Sequence, residues 1–274
     1  MKVRLLSSLF LLGAISLSSC GEIAPYDLET ETEIIVGMEA DYAPFNWSTS
    51  TSTQFTHRIH GRSDYADGYD VQISKSIATG IGKTLVIKAL SFGGLIPALK
   101  SGSIDLAIAG MSPIEERKQQ VNFSSEYYRS EVVMVVKATS RFANATSVAE
   151  FSGAKVVAQE STLYDGLIDQ IPKVVHLTSL ESYSDLALAV NEGVADAFIS
   201  ELPVAQATTG SMPGLVMVRL TNGGFDTPED EITVSVAMRK QDTALLDAVN
   251  EVLATISTDD RNSLMEAALG RQQG

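Results

Sequence analysis

His57 and His60 stand three residues apart, beside Asp64 and Asp67. Zinc can be held by ligands at such spacing. These lie in a polar stretch rich in Ser and Thr, however, and the chain's single cysteine is far away at position 20, so no metal site is expected. His176 falls in an apolar run and reads as a strand histidine. A HExxH zinc motif, a phosphate-binding P-loop and a GxSxG nucleophile elbow do not occur. Gly93-Gly94 is a turn before a helix, too little for a nucleotide fingerprint. Met111 and Met238 sit among apolar residues and read as core. No catalytic residue and no cofactor is expected. The clusters that remain are an aromatic loop, Tyr42 to Trp47, and the charged run Glu115-Glu116-Arg117. By itself Arg117 would be a surface arginine paired with Glu115 or Glu116.

Cys20 carries a different chemistry. It cannot form an intramolecular disulfide, because the chain has one cysteine. Lys2 and Arg4 precede a mostly apolar stretch from Leu5 to Leu17, too short to span a bilayer, which needs ~20 apolar residues. Leu17-Ser18-Ser19-Cys20 resembles a bacterial lipobox, which implies cleavage before Cys20 and lipidation of its thiol. The expected organisation therefore begins with a signal peptide over residues 1–19 and a tether over 20–32. Lipid would be the membrane anchor.

The elements that must position the remaining residues alternate between strand and helix. Strands are expected at 33–37, 85–90, 104–109, 132–136, 155–158, 174–177, 197–199, 215–220 and 232–238. Helices are expected at 71–81, 95–100, from Ser112, at 161–169 and 182–191, from Pro203, and at 243–256 and 261–269. Residues 48–67 read as a surface loop or a ragged hairpin. This alternation argues an α/β protein with mainly parallel sheets. Two sheets fit better than one, since roughly ten strands is many for one open sheet. The formal charge is −14, with 34 acidic against 20 basic residues. Nucleic acid is a poor partner for such a surface.

Six segments in order resemble the extracellular solute-binding proteins of polar amino acid ABC transporters. They are GMEADYAPFNW (37–47), GYDVQISKSIA (68–78), the run from 95 to 128, AQESTLYD (158–165), ADAFISELPVA (195–205) and SVAMRK (235–240). The resemblance implies a two-lobed, type II periplasmic-binding-protein-like fold, with two mixed sheets flanked by helices and a hinge of two crossover strands. The crossings would fall near 128–130 and 222–225. Lobe 1 would comprise 33–129 completed by 226–274, and lobe 2 would comprise 130–225. The implied partners are a free amino acid and an ABC permease with its ATPase. The implied state is a monomer, extracytoplasmic and lipid-anchored. An enzyme on the same fold, such as a cyclohexadienyl or arogenate dehydratase, is the alternative; a sensing module is a weaker third.

Residue by residue, the resemblance implies a carboxylate clamp at Arg117, where a planar guanidinium can donate two parallel hydrogen bonds. Ser112 and Thr162 would add contacts from the two lobes. Glu201, where many relatives carry Asp, would take the ammonium together with the carbonyl of Gly110. Tyr42 and Phe92 would flank the side chain. Glu39 is read two ways, as the partner of a cationic head group or as an acid exposed at a strand end. Trp47 is expected in core or rim packing. Where relatives have a Gly, this chain has Glu160, and Leu163 takes a position often polar. These departures put the identity of the ligand, more than its class, in question. The lean is to a cationic or polar amino acid.

Overall fold

The computed structural model describes residues 23–229 and 232–272. The expected signal peptide and Cys20 lie outside these residues. Two five-stranded mixed sheets form the body. In the first, the strand order is Thr84–Ala89, Glu33–Met38, Leu106–Ala107, Thr233–Met238, Asn122–Arg129. In the second it is Val175–His176, Lys155–Val157, Ala197–Glu201, Val132–Lys137, Leu215–Arg219. Each sheet sets two parallel pairings beside two antiparallel ones. Two mixed sheets flanked by helices is the arrangement expected from the sequence. The chain leaves the first sheet after Arg129, enters the second at Val132, and returns at Thr233.

The strand Val132–Lys137 shows why these residues form a sheet covered on both faces. Val133 and Val135 enter one apolar core, whereas Met134 and Val136 enter the other. A period-two strand of continuous apolar residues can satisfy only such a position. Its partner strand repeats the division, with Phe198 in the first core and Ala197 and Ile199 in the second.

Several elements differ from expectation. Residues 48–67 are more ordered than a loop: Asp41–Tyr42, Asn46–Thr49, Tyr65–Asp67 and His57–Arg58 form a four-stranded antiparallel sheet. Polar groups anchor it. Lys75 donates to the carbonyls of Gln54, Phe55 and Thr56, and His57 Nε2 lies 3.1 Å from the carbonyl of Leu85. The strand Asn122–Arg129 was not expected, because its sequence NFSSEYYR has no clean alternation; it forms by pairing with Thr233–Met238 at the sheet edge. After Ser112 the chain stays extended until Ile114, and the helix covers only Glu115–Lys118. The helix expected over 161–169 is Leu163–Leu167 followed by a 3₁₀ turn, Ile168–Gln170. The last helix is longer than expected, Thr258–Gln272, held at its end by a bidentate bond from Arg271 to Asp67.

Residues 23–32, placed by sequence in the tether, pack against the first sheet's lobe. Tyr26 is buried; its N–H donates to Asp242 Oδ1 at 2.9 Å and its hydroxyl to the carbonyl of Glu33 at 2.6 Å. Arg239 pairs with both Asp242 and Asp105, and Asp105 accepts from the N–H of Ile35. Lys83 clamps the carbonyls of Leu28 and Glu31. Tyr26→Ala empties a buried aromatic site and should lower stability in urea by about 3 kcal/mol. A change within the noise of the measurement would show the strap to be energetically idle.

Candidate functional site

The two lobes meet at a narrow cleft. Glu39, Tyr42, Phe92, Gly110, Ser112 and Arg117 line it from the first lobe, and Gln159, Thr162, Leu163, Tyr164 and Tyr183 from the second. Seven of the eight ligand-site residues named from sequence are therefore brought together. The eighth, Glu201, lies fully buried beside them and accepts a short hydrogen bond from the Tyr42 hydroxyl. The lobes are closed, and the cleft encloses only about 10 Å³.

Arg117 is held by its local backbone and by both lobes. It sits in the Glu115–Lys118 turn, buried, with Nη1 donating to the carbonyl of Ser112 at 2.8 Å. Nη2 donates across the cleft to the carbonyl of Ser161 at 2.9 Å. Its guanidinium lies over the Phe92 ring, 5.0 Å from the centroid, a cation–π contact. Thr162 caps the next helix by position, and its hydroxyl donates back to the carbonyl of Gln159. Phe92 and Tyr42 both face the cleft but have separate partners. Tyr42 stacks on Phe45 at 5.2 Å and tilts against Tyr183 at 4.8 Å.

Glu39 is not an exposed strand end. Its Oε1 accepts from Gln159 Nε2 at 2.6 Å, and its Oε2 is buried without a partner among the described residues. Burial pushes its carboxyl up to about 8, against the Gln159 bond, which pulls the other way. Burial likewise raises Glu201 to about 8. Glu160, by contrast, is exposed and does not line the cleft. Trp47 is half-buried against the first core, as rim packing requires.

Two residues without glycine's freedom adopt left-handed backbone at the cleft: Ala40 at φ 59° and Ser161 at φ 62°. Such conformations cost of order 1–3 kcal/mol and persist only where the surroundings fix them. Asn46 Oδ1 holds the N–H of Ala40 at 2.7 Å, and Arg117 holds the carbonyl of Ser161. Gly110 is left-handed too, at φ 60°, and a Cβ there would lie 2.5 Å from Tyr42 Cε1. Only glycine satisfies both conditions.

Sequence reasoning missed the layer beneath. Asp70 is fully buried; Oδ2 accepts from Asn46 Nδ2 at 2.7 Å and Oδ1 from the Tyr127 hydroxyl at 2.8 Å. That hydroxyl in turn accepts from the N–H of Gly110 at 3.0 Å. Burial raises Asp70 to about 7. The chain fixes the Gly110 peptide and the Ala40 turn together. Gln159, Tyr164 and Tyr183 were also missed as lining. Gln159 and Tyr164 lie inside the segment AQESTLYD, where spacing from Thr162 could have found them.

The sequence profile of the bacterial extracellular solute-binding proteins, family 3, matches residues 34–268. The chain belongs to this family. An arginine-binding extracellular protein of Bacillus subtilis is 29% identical over 243 residues, covering 87% of this chain and 86% of that protein. A glutamine-binding protein of an ABC transporter, also from Bacillus subtilis, is 25% identical over 95% of this chain and 94% of its own. Among solved structures, an amino acid ABC transporter substrate-binding protein from Streptococcus pneumoniae bound to L-arginine superposes with a TM-score of 0.77. It is 26% identical, covering 90% of this chain and 98% of that one. Family 3 proteins are solute-binding proteins of the extracellular space, and the cleft described above lies at the seam of this family's fold.

The buried acids predict how stability responds to pH. The folded pKa values of Glu39, Asp70 and Glu201 lie above those of the unfolded chain, about 4. Between about pH 4 and 7–8 the folded protein holds protons that the unfolded chain has released. Stability should therefore fall as pH rises through that window. Asp70→Asn removes one of these titrations, so the decline measured by urea unfolding from pH 5 to 7 should be shallower than in the wild type. An unchanged slope would mean that Asp70 is ionised in the fold.

Proposed function

We propose that the protein is the binding component of an amino acid ABC importer, extracytoplasmic and held to the membrane by lipid on Cys20. It closes two lobes around one free amino acid, with a cationic or polar side chain, and delivers it unchanged to a permease driven by its ATPase. Residues 33–129 with 226–274 form one lobe, 130–225 the other, and the two crossings between the sheets act as the hinge. The protein works as a monomer.

The observation that carries this reading is the charge pattern of one closed cleft. A buried arginine sits among Ser112 and Thr162, and two acids come from opposite lobes, the half-buried Glu39, whose Oε2 is buried, and the buried Glu201. A free amino acid has a carboxylate, an ammonium and a side chain. Arg117 takes the carboxylate in place of its bonds to the Ser112 and Ser161 carbonyls. Glu201 and the Gly110 carbonyl take the ammonium, with the Tyr42 hydroxyl moving aside. Glu39 Oε2, which has no partner among the described residues, meets the side-chain end. The arginine- and glutamine-binding relatives fit this assignment, since a carboxyl raised to about 8 can meet an amide when protonated and a cation when ionised.

Calorimetry against a panel of amino acids tests the reading; no heat from any of them, with folded protein, overturns it. Arg117→Ala should weaken every ligand at least about 100-fold, because it leaves a carboxylate unpaired. Glu39→Gln should cost arginine roughly tenfold and glutamine little. The ratio of arginine to glutamine affinity should rise between pH 6 and 9, as Glu39 ionises, and flatten in the Glu39→Gln protein. A ratio independent of pH would remove Glu39 from side-chain recognition.

Anchoring is tested separately. Cys20→Ser should move the protein from the membrane to the soluble fraction after secretion, with ligand affinity unchanged. Continued membrane association would place the anchor elsewhere.

A further inference from the structure

A second cavity opens between the lobes, behind Tyr183, which lines both it and the ligand cleft. It encloses about 190 Å³, far more than the cleft itself in the closed form. The first lobe contributes Asp41, Trp47 and Gln272; the second contributes Ala187, Val204 and Ala207, which are buried, with Thr208 and Ser211 at the rim. It is bounded by both lobes, so it has this shape only while they are together. Ser184, also in its wall, donates to Asp41 Oδ1 at 2.8 Å across the seam.

The lining has a definite chemistry. The floor of Ala187, Val204, Ala207 and Met212 is apolar. Trp47 adds an aromatic wall, the best ring for an organic cation. Asp41 is the one ionisable carboxylate among the described residues lining the cavity, and no Lys, Arg or His is among them. Gln272 Oε1 is buried there without a hydrogen-bond donor among the described residues. An anion would meet no basic side chain among the described lining residues and would face the Asp41 carboxylate, and a neutral apolar molecule would leave the Gln272 oxygen unpaired. An ammonium group can satisfy Asp41 and Gln272 at once while an apolar body covers the floor.

We propose that this interlobe cavity is a second binding site, specific for a small primary amine with an apolar or aromatic body and distinct from the amino acid cleft. Occupancy favours the closed lobes, and by reciprocity closure around an amino acid favours occupancy. The amine lacks the carboxylate that Arg117 holds, so the two sites select different molecules.

Trp47 is the only tryptophan in the chain and lines this cavity, so its fluorescence reports on occupancy and on the closure that occupancy favours. Tyramine, titrated into the full mature protein with excitation at 295 nm, should give a saturable change in that emission. 2-Phenylethanol, of similar body but uncharged, should bind at least about tenfold more weakly. Asp41→Asn should weaken tyramine roughly tenfold or more, whereas Ser184→Ala, which removes the seam bond but keeps the carboxylate, should change it far less. Ser211→Trp should fill the rim and abolish tyramine binding while amino acid binding persists; the added tryptophan makes calorimetry the readout for that variant. Arg117→Ala should still bind tyramine saturably, weakened only as far as losing its bond across the seam to Ser161 loosens closure, which separates this site from the cleft whatever the cleft's ligand proves to be. No saturable change in the wild type overturns the proposal. So does equal binding of 2-phenylethanol, loss of tyramine binding in Arg117→Ala, or an equal effect of Asp41→Asn and Ser184→Ala.

Discussion

A buried guanidinium has five N–H groups and tolerates burial only when acceptors surround it. Arg117 takes its acceptors from both lobes, the Ser112 carbonyl on one side and the Ser161 carbonyl on the other, with the Phe92 ring beneath. The rest of the cleft is arranged around that demand. The loop after Gly110 must stay extended through Ser112 to bring its carbonyl to Nη1. Ser161 must turn left-handed to bring its own carbonyl to Nη2. The lobes must therefore meet at one register, and closure is read by the same side chain that would hold a carboxylate.

Strain and burial are compensated one layer below. At the cleft, Ala40, Gly110 and Ser161 hold backbone that an unconstrained chain would avoid for any residue but glycine, and two of these three are not glycine. Asp70 links the first two through Asn46 and Tyr127, so the helix Tyr69–Gly80, the strand Asn122–Arg129 and two cleft loops are tied together by one chain of hydrogen bonds. The cost is a carboxyl buried without a cation, which is why its pKa rises.

The legible part of this site was the part written in consecutive residues. Arg117 and Thr162 stand within short segments whose order is informative, and the cores follow from apolar periodicity. What escaped was set by distant pairing. NFSSEYYR becomes a strand only because Thr233–Met238 lies beside it. The polar 48–67 segment becomes a sheet because its carbonyls are taken by Lys75 and Gln72 from a helix. Asp70 stands in the first turn of the helix Tyr69–Gly80, where an acid is ordinarily exposed and favours the dipole, so its position in the sequence carries no sign of burial. Its burial depends on Asn46 and Tyr127, 24 and 57 residues away. Tyr26 carried no periodic signal at all, since its role is to fill one hole and cap one carboxylate.

Selectivity follows from which cleft atoms are already satisfied. In the closed form Arg117 bonds two carbonyls, Glu201 has the Tyr42 hydroxyl, and Glu39 Oε1 has Gln159. A ligand that replaces these bonds gains only the difference between new partners and old, so under the proposed function the groups common to all amino acids would provide binding but little discrimination. Glu39 Oε2 has no bond to exchange among the described residues. A donor delivered there by the ligand's side chain satisfies a buried oxygen outright, worth about 1–3 kcal/mol against a side chain that brings none. The proposed preference for a polar or cationic side chain would thus rest on one carboxylate oxygen, held in place by a glutamine of the opposite lobe and reached only when the lobes meet.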